Sequence, residues 1–91
     1  MNYLEKYGFN DDDFNYLKKH YNNKILSNII YKQENIEKVI EELNNKDFDI
    51  KYLLLNRMDI FFIDIDDFKN KLNKYNKEEL EQLKENFADF W

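Results

Sequence analysis

An apolar pattern recurs along this chain at an offset of 36 residues. Phe14, Leu17, Ile25, Leu26, Ile36 and Val39 stand opposite Ile50, Leu53, Phe61, Phe62, Leu72 and Tyr75, and all six positions are apolar in both copies. A period of this length marks a helical hairpin that cannot bury its apolar face alone and stacks on a copy of itself. The expected fold is therefore all-α. It is a small helical-repeat bundle of about six or seven short helices, with two stacked hairpin units over residues 9–43 and 46–75 and a C-terminal helix over 77–90.

Composition supports helices and excludes several function classes. Gly8 is the only glycine and there is no proline, so the turn residues that β-hairpins demand are missing. An apolar fraction of 43%, rich in Phe and Tyr, supplies one core for a single 91-residue domain and argues against disorder despite 36% charged residues. The lack of cysteine rules out disulfides and thiolate metal sites. Met1 to Phe9 has no basic stretch followed by an apolar one, and the apolar run Ile60 to Ile63 is far too short to span a bilayer, so a cytoplasmic protein without membrane contact is expected. A net charge of −5 opposes strong attraction to phosphate backbones. Abundant Asn, Lys, Ile and Tyr fit an adenine- and thymine-rich coding sequence, as in low-GC bacteria and their phages, so lysine and asparagine content by itself says nothing about function.

Local signals divide the chain. Tyr3, Leu4 and Tyr7 form one face of a short first helix stopped by Gly8 in the left-handed conformation. Asn10 caps a second helix whose first turn holds Asp11, Asp12 and Asp13 and whose inner stripe is Phe14, Leu17 and Tyr21. After Asn22 and Asn23, a short helical segment over 24–31 turns Ile25, Leu26, Ile29 and Ile30 inward. A clear amphipathic helix over 33–43 follows, with Ile36, Val39, Ile40 and Leu43 on one side, ended by Asn44 and Asn45. Asp47 is the expected cap of the next helix, through Ile50, Leu53, Leu54 and Leu55. The quartet Ile60 to Ile63 has strand propensity but no sheet to join, and its repeat partner favours a helical turn. Asp64 with Asp67, and Asn76 with Glu79, have the spacing of capping boxes, and Leu80, Leu83, Phe87 and Phe90 align on one face of the last helix.

These units resemble the helical repeat of the mitochondrial transcription termination factor family. The likeness lies in Gly8-Phe9-Asn10-Asp11-Asp12-Asp13-Phe14 opening a helix, a short helical turn after it, and a closing helix at Ile36 to Leu43 or Phe68 to Tyr75. It covers roughly Tyr7 to Tyr75; the family's proline position is taken here by Asn22 and Met58. The resemblance implies stacked helical units and binding of nucleic acid on a basic concave face.

Side chains that could carry chemistry are few. Asp11 to Asp13 and the cluster Asp64, Asp66 and Asp67 lack the glycine of a calcium loop and are accounted for as helix-start carboxylates. His20 and the sole serine, Ser27, have no glycine-rich turn to serve as an oxyanion hole. No catalytic residue, metal, cofactor or small-molecule substrate is therefore expected. Arg57, the only arginine, is expected to form a structural ion pair with Asp59 or Asp64.

Binding is the expected role: a non-enzymatic module that meets another protein or a second copy of itself. Candidate partner-binding residues are Phe87, Phe90 and Trp91, at a chain end unusually rich in aromatics, with the acidic stripe Glu78, Glu81 and Glu85. Lys18, Lys19, Lys24 and Lys32 with Tyr21 and Tyr31 are the candidate nucleic-acid contacts, disfavoured by net charge. A third alternative is an acidic inhibitor of a nucleic-acid enzyme, of the kind a phage could encode.

Overall fold

The computed structural model describes residues 2–91. Among them are six α-helices, α1 (Asp11–His20), α2 (Asn23–Tyr31), α3 (Gln33–Asn45), α4 (Ile50–Asn56), α5 (Ile65–Leu72) and α6 (Lys77–Glu85). Three short 3₁₀ helices, Asn2–Tyr7, Met58–Phe62 and Phe87–Asp89, complete a small all-α bundle with no strand among the described residues. The quartet ending at Ile63 falls in and just after the second 3₁₀ helix, where Ile60 and Phe61 are fully buried. Burial, which a helical turn satisfies without a ladder partner, accounts for its apolar character.

Helix α3 is the axis of the bundle. Its face Ile36, Val39, Ile40 and Leu43 is buried, and it packs against α2, α4, α5 and the 58–62 helix. Phe61 and Phe68, both fully enclosed, fill the space around it. All twelve positions selected by the 36-residue offset are buried or half-buried. Element lengths differ between the halves, however: residues 23–31 form an α-helix of nine residues, whereas 58–62 form a five-residue 3₁₀ helix. Helix α5 has eight residues against the thirteen of α3.

Helix ends follow capping chemistry. The Asn10 side chain accepts from the Asp13 N–H at 3.0 Å while the Asp13 carboxylate accepts from the Asn10 N–H at 2.9 Å, a reciprocal capping box. Asn76 and Glu79 form another at 2.8 and 3.1 Å. Gly8, at φ +89°, closes the first helix, with the Gly8 and Phe9 N–H groups donating back to Glu5 and Leu4.

Several expected details are corrected. Asp47 is not the cap of α4. It adopts φ 63° as the left-handed stop of α3, where the Phe48 N–H donates to the Leu43 carbonyl at 3.1 Å, and Asp49 caps α4 instead by accepting from the Tyr52 N–H. Asp64 caps α5 through the Asp66 N–H at 3.0 Å, not through a box with Asp67. Helix α6 stops at Glu85, since Asn86 is extended (φ −138°, ψ 96°), so Phe87 and Phe90 are not carried on that helix. Ile30, expected inward, faces solvent and is 57% exposed: α2 packs through Ile25, Leu26 and Ile29, and Ile30 lies beyond that stripe.

Candidate functional site

Two surfaces gather the residues singled out from sequence. The first is the edge formed by α2. Asn22 starts this helix by accepting from the Ile25 N–H at 2.9 Å, and a single residue, Lys32, separates its end from α3. The last residues of α2 lie outside its packed stripe: Ile30 beside Tyr31, which is 86% exposed. Lys24 lies on this helix and Lys32 directly follows it, whereas Lys18 and Lys19 sit on α1; all four are exposed, and none forms an ion pair among the described residues. The Lys32 ammonium lies 5.8 Å from the centre of the Phe62 ring. Tyr21 differs from its neighbours: its hydroxyl donates to the Leu55 carbonyl at 3.0 Å, so it ties α1 to α4. Burial raises its pKa, with Tyr16 and Asp59 adding to the effect. Between α2 and the 58–62 helix lies a shallow concavity of about 420 Å³ bordered by Tyr21, Ile25, Asn28, Met58 and Phe62.

The second surface is the C-terminal segment, and its aromatic side chains turn inward. Phe90 is buried and meets Phe48 edge-on at 5.5 Å. Phe87, half-buried, meets Tyr52 edge-on at 5.3 Å. Trp91 stacks on Tyr75 at 5.8 Å and lies against Phe68. Arg57 holds the segment in place. Its Nε and Nη2 donate to the two Asp59 carboxylate oxygens at 3.0 Å each, Nη1 donates to the Phe87 and Phe90 carbonyls at 2.8 and 3.1 Å, and Nη2 donates to the Trp91 main-chain oxygen at 3.1 Å. The Arg57 hydrogen bonds hold the Asp59 carboxyl below the usual carboxylate range, and Asp59 in turn raises the guanidinium pKa.

The remaining candidates have local partners. Glu78 and Glu85 are exposed on the outer face of α6, and Glu81 pairs with Lys84 at 3.0 Å. Asp13 accepts from its cap and pairs with Lys51 at 2.9 Å, so its pKa is lowered, chiefly by the Asn10 backbone N–H. His20 stacks on Tyr16 one turn earlier, 4.1 Å between ring centres. Asn35 was not anticipated. Its amide donates to the Ile63 carbonyl at 2.8 Å and accepts from the Ile65 N–H at 2.9 Å, pinning the start of α5 to α3. Nothing in its sequence neighbourhood marks it, because both partners are backbone groups about thirty residues away.

No family model, curated protein or solved structure matches the chain. No described helix is long and apolar enough to cross a membrane.

Proposed function

We propose that this protein is a non-enzymatic interaction module that docks another protein through the exposed end of α2. The observation that carries this reading is the pair Ile30 and Tyr31, 57% and 86% exposed at the end of a helix whose other apolar side chains face the core. Adjacent aliphatic and aromatic groups in water lose little on being covered, and aromatic residues such as Tyr are favoured anchors at interfaces. The unpaired Lys32 directly after the pair, with Lys24 about two helical turns earlier on α2, adds positive charge near the patch, suited to a partner with acidic groups around an apolar centre. The double change Ile30→Ser, Tyr31→Ser tests this. In affinity capture from the cell that encodes the chain, the variant should keep its thermal transition and lose the captured partner; retention of that partner would sink the reading.

A second reading, nucleic-acid binding, has one specific observation in its favour: Lys32, directly after the exposed Tyr31, and Lys18, Lys19 and Lys24 on α1 and α2 stand free of ion pairs among the described residues. Unpaired cations next to a stacking surface are what single-stranded nucleic acid requires. Binding of labelled RNA or DNA that weakens steeply with salt, and is removed by Lys24→Glu with Lys32→Glu, would favour it over docking of a protein. The net charge of −5 opposes it.

A further inference from the structure

The last six residues sit in a conformation at odds with their own sequence pattern. Leu80, Leu83, Phe87 and Phe90 are spaced three, four and three apart, as one face of a helix requires, and neither glycine nor proline interrupts residues 77–91. The chain nevertheless leaves the helix at Asn86, which is extended, and resumes as a single 3₁₀ turn over Phe87–Asp89. Two sets of contacts maintain the break. The Asn86 side chain accepts from the Ala88 N–H at 3.1 Å, and Arg57 collects the main-chain oxygens of Phe87, Phe90 and Trp91.

We infer that residues 86–91 form a two-position strap: closed beneath Arg57 in this structure, and continuing α6 as one helix through Phe90 when released. Hydrogen-bond accounting supports the second position. With continued helix the N–H groups of Phe87, Ala88, Asp89 and Phe90 reach the carbonyls of Leu83, Lys84, Glu85 and Asn86, so every bond lost by the 3₁₀ turn and the Asn86 side chain is replaced within the helix, while the three Arg57 bonds to main-chain oxygens are exchanged for water. The closed position also leaves one group unmet, because the Trp91 indole N–H is buried without a partner. Release gives that donor to water, along with the ring faces of Phe48, Tyr52 and Tyr75 that the strap covers.

The strap deepens the interaction-module reading, on which its biological use rests, since closure buries Phe90 and partly covers Phe87 and Trp91, three aromatic side chains that would add a second gripping surface on release. Its position can be read without any partner, so failure of the strap leaves docking through Ile30 and Tyr31 untouched. In the full chain, Arg57→Gln keeps a polar, uncharged group but removes the grip, its amide ending two bonds short of the Nη atoms that hold the terminal main-chain oxygens. Carbon chemical shifts of Asn86 to Phe90 should move into the helical range, and sequential amide–amide contacts should run unbroken from Glu85 to Phe90. Shifts that stay extended at Asn86, or that collapse to random-coil values, would overturn the inference. Should Arg57→Gln lose its dispersed methyl signals through unfolding, Asn86→Ala is read in the same way, and the same two outcomes decide.

Discussion

Arg57 is the sole arginine among fourteen basic residues, and its contacts show what lysine could not do there. A guanidinium offers five N–H groups in a fixed plane, and here each has an acceptor: two oxygens of Asp59 and three main-chain oxygens of the terminal segment. An ammonium has three donors and no planar fork. An ion pair with Asp59 or Asp64 is legible from sequence, and the structure places it on Asp59; the three main-chain acceptors lie at least thirty residues away and carry no sequence signal. The pairing makes stability depend on pH with a definite sign. The folded state holds Asp59 below its ordinary value, so its contribution is present above the unfolded carboxylate pKa of about 3.9 and is lost as pH falls through the lowered folded value. Asp59→Asn should therefore cost at most about 1 kcal/mol near neutral pH, the carboxylate being largely exposed and screened by solvent. Urea titrations of both proteins should show that difference shrinking toward zero below about pH 3.9; a difference constant with pH would mean that charge has no part in it.

At the scale of single elements, helix starts were more legible than helix ends. A cap acts within three residues, so Asn10 with Asp13 and Asn76 with Glu79 could be recognised from spacing, and both form reciprocal boxes. Asp64 does cap α5, but its side chain accepts from the nearer Asp66 N–H, so the spacing to Asp67 does not mark a box. Endings depend on where the chain must go next. Asp47 takes the left-handed stop of α3 because Phe48 has to turn back into the core beside Phe90, a demand set by tertiary packing. Asn86 breaks α6 for a similar reason, its successors being held by Arg57. The outward direction of Ile30 depends on which face of α2 meets the core, through Ile25, Leu26 and Ile29, a choice made by tertiary packing. Gly8 shows how the same type of stop is formed by the residue best suited to it. Left-handed geometry costs a residue with a Cβ about 1–2 kcal/mol, while glycine gives back about 0.5–1 kcal/mol in unfolded-state entropy. Asp47→Gly should consequently stabilise the protein by about 0.5–1 kcal/mol, raising the thermal midpoint by roughly 2–8 °C in a domain of this size. A lower midpoint by circular dichroism would show that the Asp47 side chain serves α3 in some other way.

Across the whole molecule, the two halves share one core instead of enclosing one each. Buried residues from Leu4 to Phe90 form a continuous cluster, with α3 from the first half packed on α5 and the 58–62 helix from the second. Similarity at a 36-residue offset does not say whether each half is stable alone, and the packing argues for one cooperative unit: the inner face of α3 has apolar partners on both sides of the chain's midpoint. Leu17→Ala in α1 and Leu72→Ala in α5 each empty a fully buried site, at about 2–5 kcal/mol apiece. The whole chain has about 5–14 kcal/mol to lose at 0.05–0.15 kcal/mol per residue, so either change takes a large part of the total. If the core is shared, native-state hydrogen exchange in Leu72→Ala should show the slowest amides of α1, α3 and α5 losing protection by the same free energy, as one cooperative unit. Loosening confined to α5, with α1 and α2 retaining full protection, would instead show two separately stable hairpins in contact.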